Sequence, residues 1–226
     1  LPPWRVPEFT GWHEQGDGRF FYTVEIRSGR IRDEAGRSTK RALREIVGIT
    51  GCDLVATPNQ NVLIVDIDPR DRPTIETILA KNGLAAPVDP FERRALACPA
   101  LPTCGLALAE SERALPRLLA SLRDAWSQAG LTGDEPTVRV TGCPNSCARP
   151  TLAEIGIIGT SADRYNVYLG GNPESTRLNA LYRENVRLEE IASVLAPQFT
   201  AFAHQRNAAE SFGDFCARTA SERLAS

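Results

Sequence analysis

The chain has 226 residues, enough for one large domain or two small ones. Hydrophobic residues make up 42% and charged residues 24%, the balance of a soluble globular protein, and a net charge of -2 gives no overall pull towards nucleic acid or membrane. No apolar run approaches the roughly 20 residues that cross a bilayer, and no charged-then-apolar leader is recognisable, so a cytoplasmic location is expected. The sequence starts at Leu1 and contains no Met, which reads as a fragment or processed product of a longer protein.

Residues 1–10 carry three prolines and little apolar periodicity, and read as a linker or arm. Glu14–Gly18 is a turn signal. From Arg19 to Ile26, Phe20, Tyr22, Val24 and Ile26 alternate with Phe21, Thr23 and Glu25, the period of a half-buried strand. Ser38 or Thr39 can cap a helix reaching about Val47, with Ala42, Leu43, Ile46 and Val47 on one face. Strands are expected at about Asp53–Ala56 and Val62–Ile67. A helix follows at about Arg72–Asn82, with Gly83 as its stop. Strand, helix, strand, strand, helix is most of a ferredoxin-like α+β subdomain, assigned to residues 11–86.

A boundary is expected across Ala86–Pro90, and residues 87–226 read as an α/β domain. In it, Leu115, Leu118, Leu119, Leu122 and Trp126 mark the core face of a helix over about Glu112–Gln128. Strands are expected at Val138–Thr141, Ala153–Gly159 and Tyr165–Leu169. Residues 188–194 and 197–206 look helical, with Pro197 kinking or restarting the run.

Four of the six cysteines form two tight groups rich in Pro, Gly and small residues. Cys98 and Cys104 lie in A-C-P-A-L-P-T-C-G, and Cys143 and Cys147 in T-G-C-P-N-S-C-A-R-P. Thiolates are soft ligands that select zinc, copper(I) or iron–sulfur clusters. A zinc site usually begins with a shorter spacing than C-x5-C, and disulfides belong mostly to oxidising compartments. An iron–sulfur cubane tolerates irregular spacing on bendable loops. Spacing alone leaves cluster, zinc and disulfide open. Cys52 and Cys216 have no partner in the pattern and read as small buried hydrophobes.

C-x5-C, thirty-eight residues, then C-x3-C resembles the cluster-binding signature of the sirohaem-dependent nitrite and sulfite reductases. The surrounding words agree: V-R-V-T-G-C-P-N-S-C-A-R-P, A-E-I-G-I-I-G, Y-N-V-Y-L-G-G-N and E-S-F-G-D-F. C-A-R-P and E-S-F-G-D-F look most like the ferredoxin-dependent sulfite reductases. The likeness runs from about Gly11 to Arg218 and covers only the second of the family's two pseudo-repeated halves.

The resemblance implies a [4Fe–4S] cluster held by Cys98, Cys104, Cys143 and Cys147, with Cys147 shared between the cubane and the sirohaem iron and so the catalytic coupling residue. It implies that Asn145 faces the macrocycle and that Arg149 pairs with one of its carboxylates. Asn59 and Gln60 resemble a sirohaem-contacting loop, and a purely turn-forming role is an equal reading. Gly170-Gly171-Asn172 reads as a tight turn near the cofactor. The implied function is the C-terminal portion of an assimilatory sulfite reductase, with ferredoxin as electron donor and sulfite as substrate. The N-terminal half would supply most of the anion pocket, so the fragment alone should be inactive. Nitrite reductase is the nearest alternative, and a non-catalytic metal-binding domain with four cysteine ligands is another. His13 and His204 sit in no catalytic motif. The basic stretch Arg27, Arg30, Arg32, Arg37, Lys40, Arg41 and Arg44 reads better as a solvated face than as a ferredoxin-docking patch, because Asp33, Glu34 and Glu45 are interspersed.

Overall fold

The computed structural model describes residues 9–225, with side chains to Ser221; the expected N-terminal arm lies largely outside the described residues. The fold is mixed α and β and divides into two compact units, one ending at Asp89 and the other beginning at Pro90.

The first unit contains β1 (Gly11–Glu14), β2 (Phe20–Val24), the short hairpin β3 (Asp33–Glu34) and β4 (Arg37–Ser38), α1 (Thr39–Thr50), β5 (Asp53–Ala56), β6 (Val62–Ile67) and α2 (Arg72–Lys81). Its main sheet is antiparallel in the order β1-β2-β6-β5. The apolar faces of α1 and α2 meet the inward side chains of the sheet: Ala42, Leu43, Ile46, Ile75, Ile78 and Leu79 pack with Val24, Val62, Ile64 and Ile67. This is the ferredoxin-like arrangement. Ser38 occupies the cap position of α1 but makes no side-chain capping bond, and Gly51 ends the helix in the left-handed region at φ 69°.

The second unit contains α3 (Pro90–Arg93), β7 (Ala95–Ala97), α4 (Leu115–Gln128), β8 (Val138–Thr141), β9 (Ile155–Ser161), β10 (Arg164–Leu169), β11 (Ala180–Val186), α5 (Ile191–Gln205) and α6 (Phe212–Ala225). Its sheet runs β11-β10-β9-β8-β7. β7, β8 and β9 are parallel, while β10 and β11 are antiparallel additions. Val138, Val140, Ile155 and Ile157 point to one face, where α4, α5 and α6 bury Leu118, Leu122, Phe199, Phe202, Phe212 and Phe215. Trp126 is central to this core, edge-on to Phe91, Phe199 and Phe212.

Two sequence expectations are corrected. Helix α4 begins at Leu115, not Glu112, because Pro116 fits only the first turn, where its missing N–H is not needed. Residues 191–205 form one helix with Pro197 inside it; burial of Leu195, Phe199 and Phe202 on both sides of Pro197 outweighs the lost hydrogen bond.

Candidate metal centre

Both cysteine groups grow from the same edge of the second unit's sheet. Ala97 is the register partner of Val140 on adjacent parallel strands. Cys98 therefore leaves the carboxyl end of β7 beside the point where Gly142 and Cys143 leave the carboxyl end of β8. Carboxyl ends of parallel strands are where open α/β sheets usually place their ligands. The chain from Gly142 to Glu154 then returns to the start of β9. Parallel neighbours need a crossover of about a dozen residues, usually a helix; here the cysteine loop and a short 3-10 turn at Pro150–Leu152 make it.

The two loops are packed onto each other. The Gly142 N–H donates to Cys98 Sγ at 3.3 Å. The Gly142 carbonyl accepts from Leu108 N and Ala109 N at 2.8 and 2.9 Å. A methyl group on Gly142 would lie 2.5 Å from the Ala109 carbonyl oxygen and 2.6 Å from Ala100 Cβ. Cys98, Ala100, Ala148 and Leu96 form a small apolar cluster, with Ala107 beside it. Residues this small let two backbones approach without side chains holding them apart.

Backbone strain also collects here. Ala100, Ser146 and Arg149 all have positive φ, at 46°, 59° and 56°. Each is a conformation that L residues hold only when the surroundings enforce it. The Ser146 carbonyl accepts from Arg149 N at 2.8 Å, closing the tight turn that contains Cys147.

All six cysteines are free thiols; Cys98 and Cys143 are buried, Cys104 is half-buried and Cys147 is exposed. Asn145 is exposed and Arg149 half-buried on the same loop as Cys147. Asn59 and Gln60 lie in the first unit, on the turn between β5 and β6, where Thr57 N donates to the Asn61 carbonyl. Among the described residues, no three His, Cys, Asp or Glu side chains are grouped closely enough to hold a single metal ion. His13 sits on β1, stacked on Phe21 and within 3.0 Å of the Thr10 carbonyl, and His204 is exposed.

Sequence reasoning missed the knot that supports the loop. Glu154, only 2% exposed, accepts from Thr137 N at 2.8 Å, Thr137 Oγ1 at 3.2 Å and Gly213 N at 3.0 Å. Its carboxylate thus ties the start of β8 to the first turn of α6, where negative charge also meets the helix dipole. Burial pushes the Glu154 carboxyl above its ordinary range, against the pull of those donors and of Arg94. Ser211 and Asp214 bond each other across the same helix start, Asp214 N donating to Ser211 Oγ and Ser211 Oγ to Asp214 Oδ2. Arg177 donates to the Gly170 and Gly171 carbonyls and to Asp214 at 2.6 Å. Asn172 does form a turn, its Oδ1 accepting from Thr176 N and Arg177 N. The words A-E-I-G, L-G-G-N and S-F-G-D-F are therefore three sides of one joint. The signal was present in the S-x-x-D capping pattern and in a lone Glu opening an apolar strand.

These loops on a parallel sheet, in a chain that also carries a ferredoxin-like unit, agree with comparisons to known proteins. Residues 13–82 match the nitrite/sulfite reductase ferredoxin-like half domain. The chain thus carries a half domain of the nitrite/sulfite reductase family. It is 45% identical to a sulfite reductase (ferredoxin) of Synechococcus elongatus, over 99% of this chain and 36% of that protein. It is 44% identical to the sulfite reductase (NADPH) hemoprotein beta-component of Staphylococcus carnosus, over 92% of this chain and 37% of that protein. The fold is also that of the Mycobacterium tuberculosis NirA protein, with a TM-score of 0.71 at 24% identity, covering 96% of this chain and 42% of that one. The chain thus spans little more than a third of the length of these curated relatives.

Proposed function

We propose that this chain is the C-terminal, cluster-carrying portion of a ferredoxin-dependent sulfite reductase. The observation that carries the reading is the mutual packing of two cysteine loops on adjacent parallel strands, with the Gly142 N–H already directed at Cys98 Sγ. The donor set fits a [4Fe–4S] cluster in kind and in rooting. It consists of four free thiols on two strained, small-residue loops. A single zinc ion needs four donors converging on one point; a cubane takes each thiolate on a different iron, so its four cysteines need not meet at one point.

Cys98, Cys104, Cys143 and Cys147 would hold the cluster, and Cys147, the exposed member, would face a sirohaem. Asn145 and Arg149, on the same loop as Cys147, would bind that group. When bound, the two groups would supply one-electron transfer from ferredoxin to sulfite. The chain's own part is to hold the thiolates, to shield Cys98 and Cys143 from water and to stabilise thiolate charge. An N–H aimed at sulfur lowers the energy of the electron-rich thiolate and so tunes the potential of whatever it ligates. The name of the Synechococcus elongatus relative supports ferredoxin as donor. The rest of the protein would complete the anion pocket, and this chain alone should not reduce sulfite.

The test is Cys147→Ser in the full-length protein, with iron and acid-labile sulfide measured alongside optical and EPR spectra and with sulfite and nitrite both assayed. The wild type should contain about five irons for every four acid-labile sulfides, four irons from the cluster and one from the sirohaem, and reduce sulfite in preference to nitrite. The variant should lose sulfite turnover. An iron-free wild type, or full activity in the variant, overturns the proposal.

A further inference from the structure

Arg139 has no role in the reading above, and its surroundings are unusual for a charged residue. It lies on β8 between Leu96 of β7 and Gly156 of β9, its register partners on the parallel strands to either side. Val138 and Val140 enter the main core, so Arg139 points to the opposite face of the sheet. The crossover formed by the cysteine loop covers that face. Above Gly156 it comes so close that a methyl there would lie 2.3 Å from the Pro150 carbonyl oxygen and 2.6 Å from Asn179 Nδ2. Arg139 is consequently only 6% exposed.

Its hydrogen bonds leave it poorly compensated. Nη1 donates to the Arg149 carbonyl at 3.4 Å, a long bond, and Nη2 donates to Ser175 Oγ at 3.1 Å. Nε–H is buried and has no partner. Among the described residues no carboxylate forms an ion pair with it, and the charge that acts on it most is Arg149, of the same sign. Burial and Arg149 together lower its pKa to about 10, still well above physiological pH, so it keeps its charge. Both of its contacts are neutral oxygens. A buried guanidinium without a counter-charge is strongly unfavourable, because its desolvation is not repaid. Bridging water would satisfy Nε–H but not the charge. A planar carboxylate matches the guanidinium fork in both charge and shape.

We propose that Arg139 is the receptor for one carboxylate group that this chain does not itself provide, bound through the Nε–H and Nη–H edge of the guanidinium. Two sources share this chemistry. One is a carboxylate of the tetrapyrrole, which rests on the function proposed above. The other is an Asp or Glu side chain from the rest of the full-length protein, which does not. In either case Arg139 would join the cysteine loop, through the Arg149 carbonyl, to the 172–179 turn, through Ser175, with the incoming carboxylate as the third member.

The test uses the cofactor-free full-length protein as wild type, Arg139→Lys and Arg139→Met. Iron-free sirohaem and its methyl-esterified form serve as fluorescent probes. If the tetrapyrrole is the source, Arg139→Met should weaken binding of the free acid at least tenfold and Arg139→Lys less so. Binding of the ester should change little, which a merely structural role for Arg139 would not produce. If a protein carboxylate is the source, free-acid binding should stay within twofold. The stability gap between wild type and Arg139→Met should then close as pH falls through the carboxylate range, whereas lost contacts to neutral oxygens would give a gap independent of pH. Binding within twofold together with a gap that does not close in acid overturns the proposal. Should Arg139→Met fail to fold, the same comparisons with Arg139→Lys decide. A wild type that binds no tetrapyrrole removes the proposed function, while the pH comparison still decides the role of Arg139.

Discussion

Replacing Glu154 with glutamine keeps the shape of the side chain and removes one acceptor. The carboxylate now receives Thr137 N and Oγ1 on one oxygen and Gly213 N on the other. Glutamine has a single oxygen. In either orientation its NH2 group faces a buried N–H, that of Gly213 or that of Thr137. One charge-assisted bond is lost and one N–H is left unsatisfied, a cost of about 2–4 kcal/mol. The amide escapes the desolvation that raises the Glu154 carboxyl, which returns part of this, so a net loss of about 1–3 kcal/mol is expected. With a urea dependence of about 1–3 kcal/mol per molar, the midpoint should fall by roughly 1 M. Amide exchange in the first turn of α6 should rise in parallel. The pH dependence supplies a second check. A carboxyl whose folded pKa is raised contributes stability that is fully present below its unfolded pKa and lost as pH rises through the folded value. The wild type should therefore gain stability relative to Glu154→Gln as pH falls towards the ordinary carboxylate range. Equal urea midpoints with unchanged exchange in α6, or a gap that narrows on acidification, would refute the reasoning.

Gly142→Ala would force a methyl into contacts of 2.5 and 2.6 Å with Ala109 and Ala100. It should cost about 1–3 kcal/mol and reduce iron and acid-labile sulfide to less than half the wild-type content; a fully loaded variant would contradict the packing argument. In the first unit, Gly51 and Gly83 have nearly the same left-handed φ, 69° and 71°. A methyl on Gly51 meets nothing within 4 Å, whereas on Gly83 it would lie 1.9 Å from the Gly36 carbonyl oxygen. Gly51→Ala should cost about 1–2 kcal/mol of strain, and Gly83→Ala clearly more. Equal losses in thermal unfolding followed by circular dichroism would show that conformation alone sets both.

The elements readable in the sequence were those whose burial follows their own periodicity. The limits expected for β6 coincide with those observed, and the apolar stripe of α4 is the buried face of that helix. The elements that escaped are stabilised from outside. Strand β11 is exposed along most of its length and is held by pairing with β10, so it shows no alternation. Helix α6 has Phe212, Phe215 and Cys216 at helical spacing, but its Gly and Asp near the start concealed a capping turn. In the V-R-V-T strand, period two sets the two valines on one face and Arg139 on the other, and does not say whether that other face is covered. The burial of Arg139 results from a loop returning over that face, a tertiary event that no local period encodes. The two cysteine loops stand out in the sequence because their spacing and neighbours are distinctive. The joint of Glu154, Gly213, Arg177 and Asp214 does not, because its members lie far apart in sequence and meet only in the folded unit.

The segment from Gly142 to Glu154 is both the second cysteine loop and the only covalent path between two neighbouring strands. Most ligand-bearing loops can drift, lengthen or be exchanged while the scaffold beneath stays intact. Here that freedom is missing, because the strap that presents Cys143 and Cys147 also sets where β9 begins against β8. A residue inserted between the two cysteines would have to be absorbed by a segment pinned at both ends, by Gly142 against the neighbouring loop and by Glu154 against α6. Variation in this fold should therefore accumulate at the β10–β11 margin and on the exposed helix faces, while the length of this strap stays fixed.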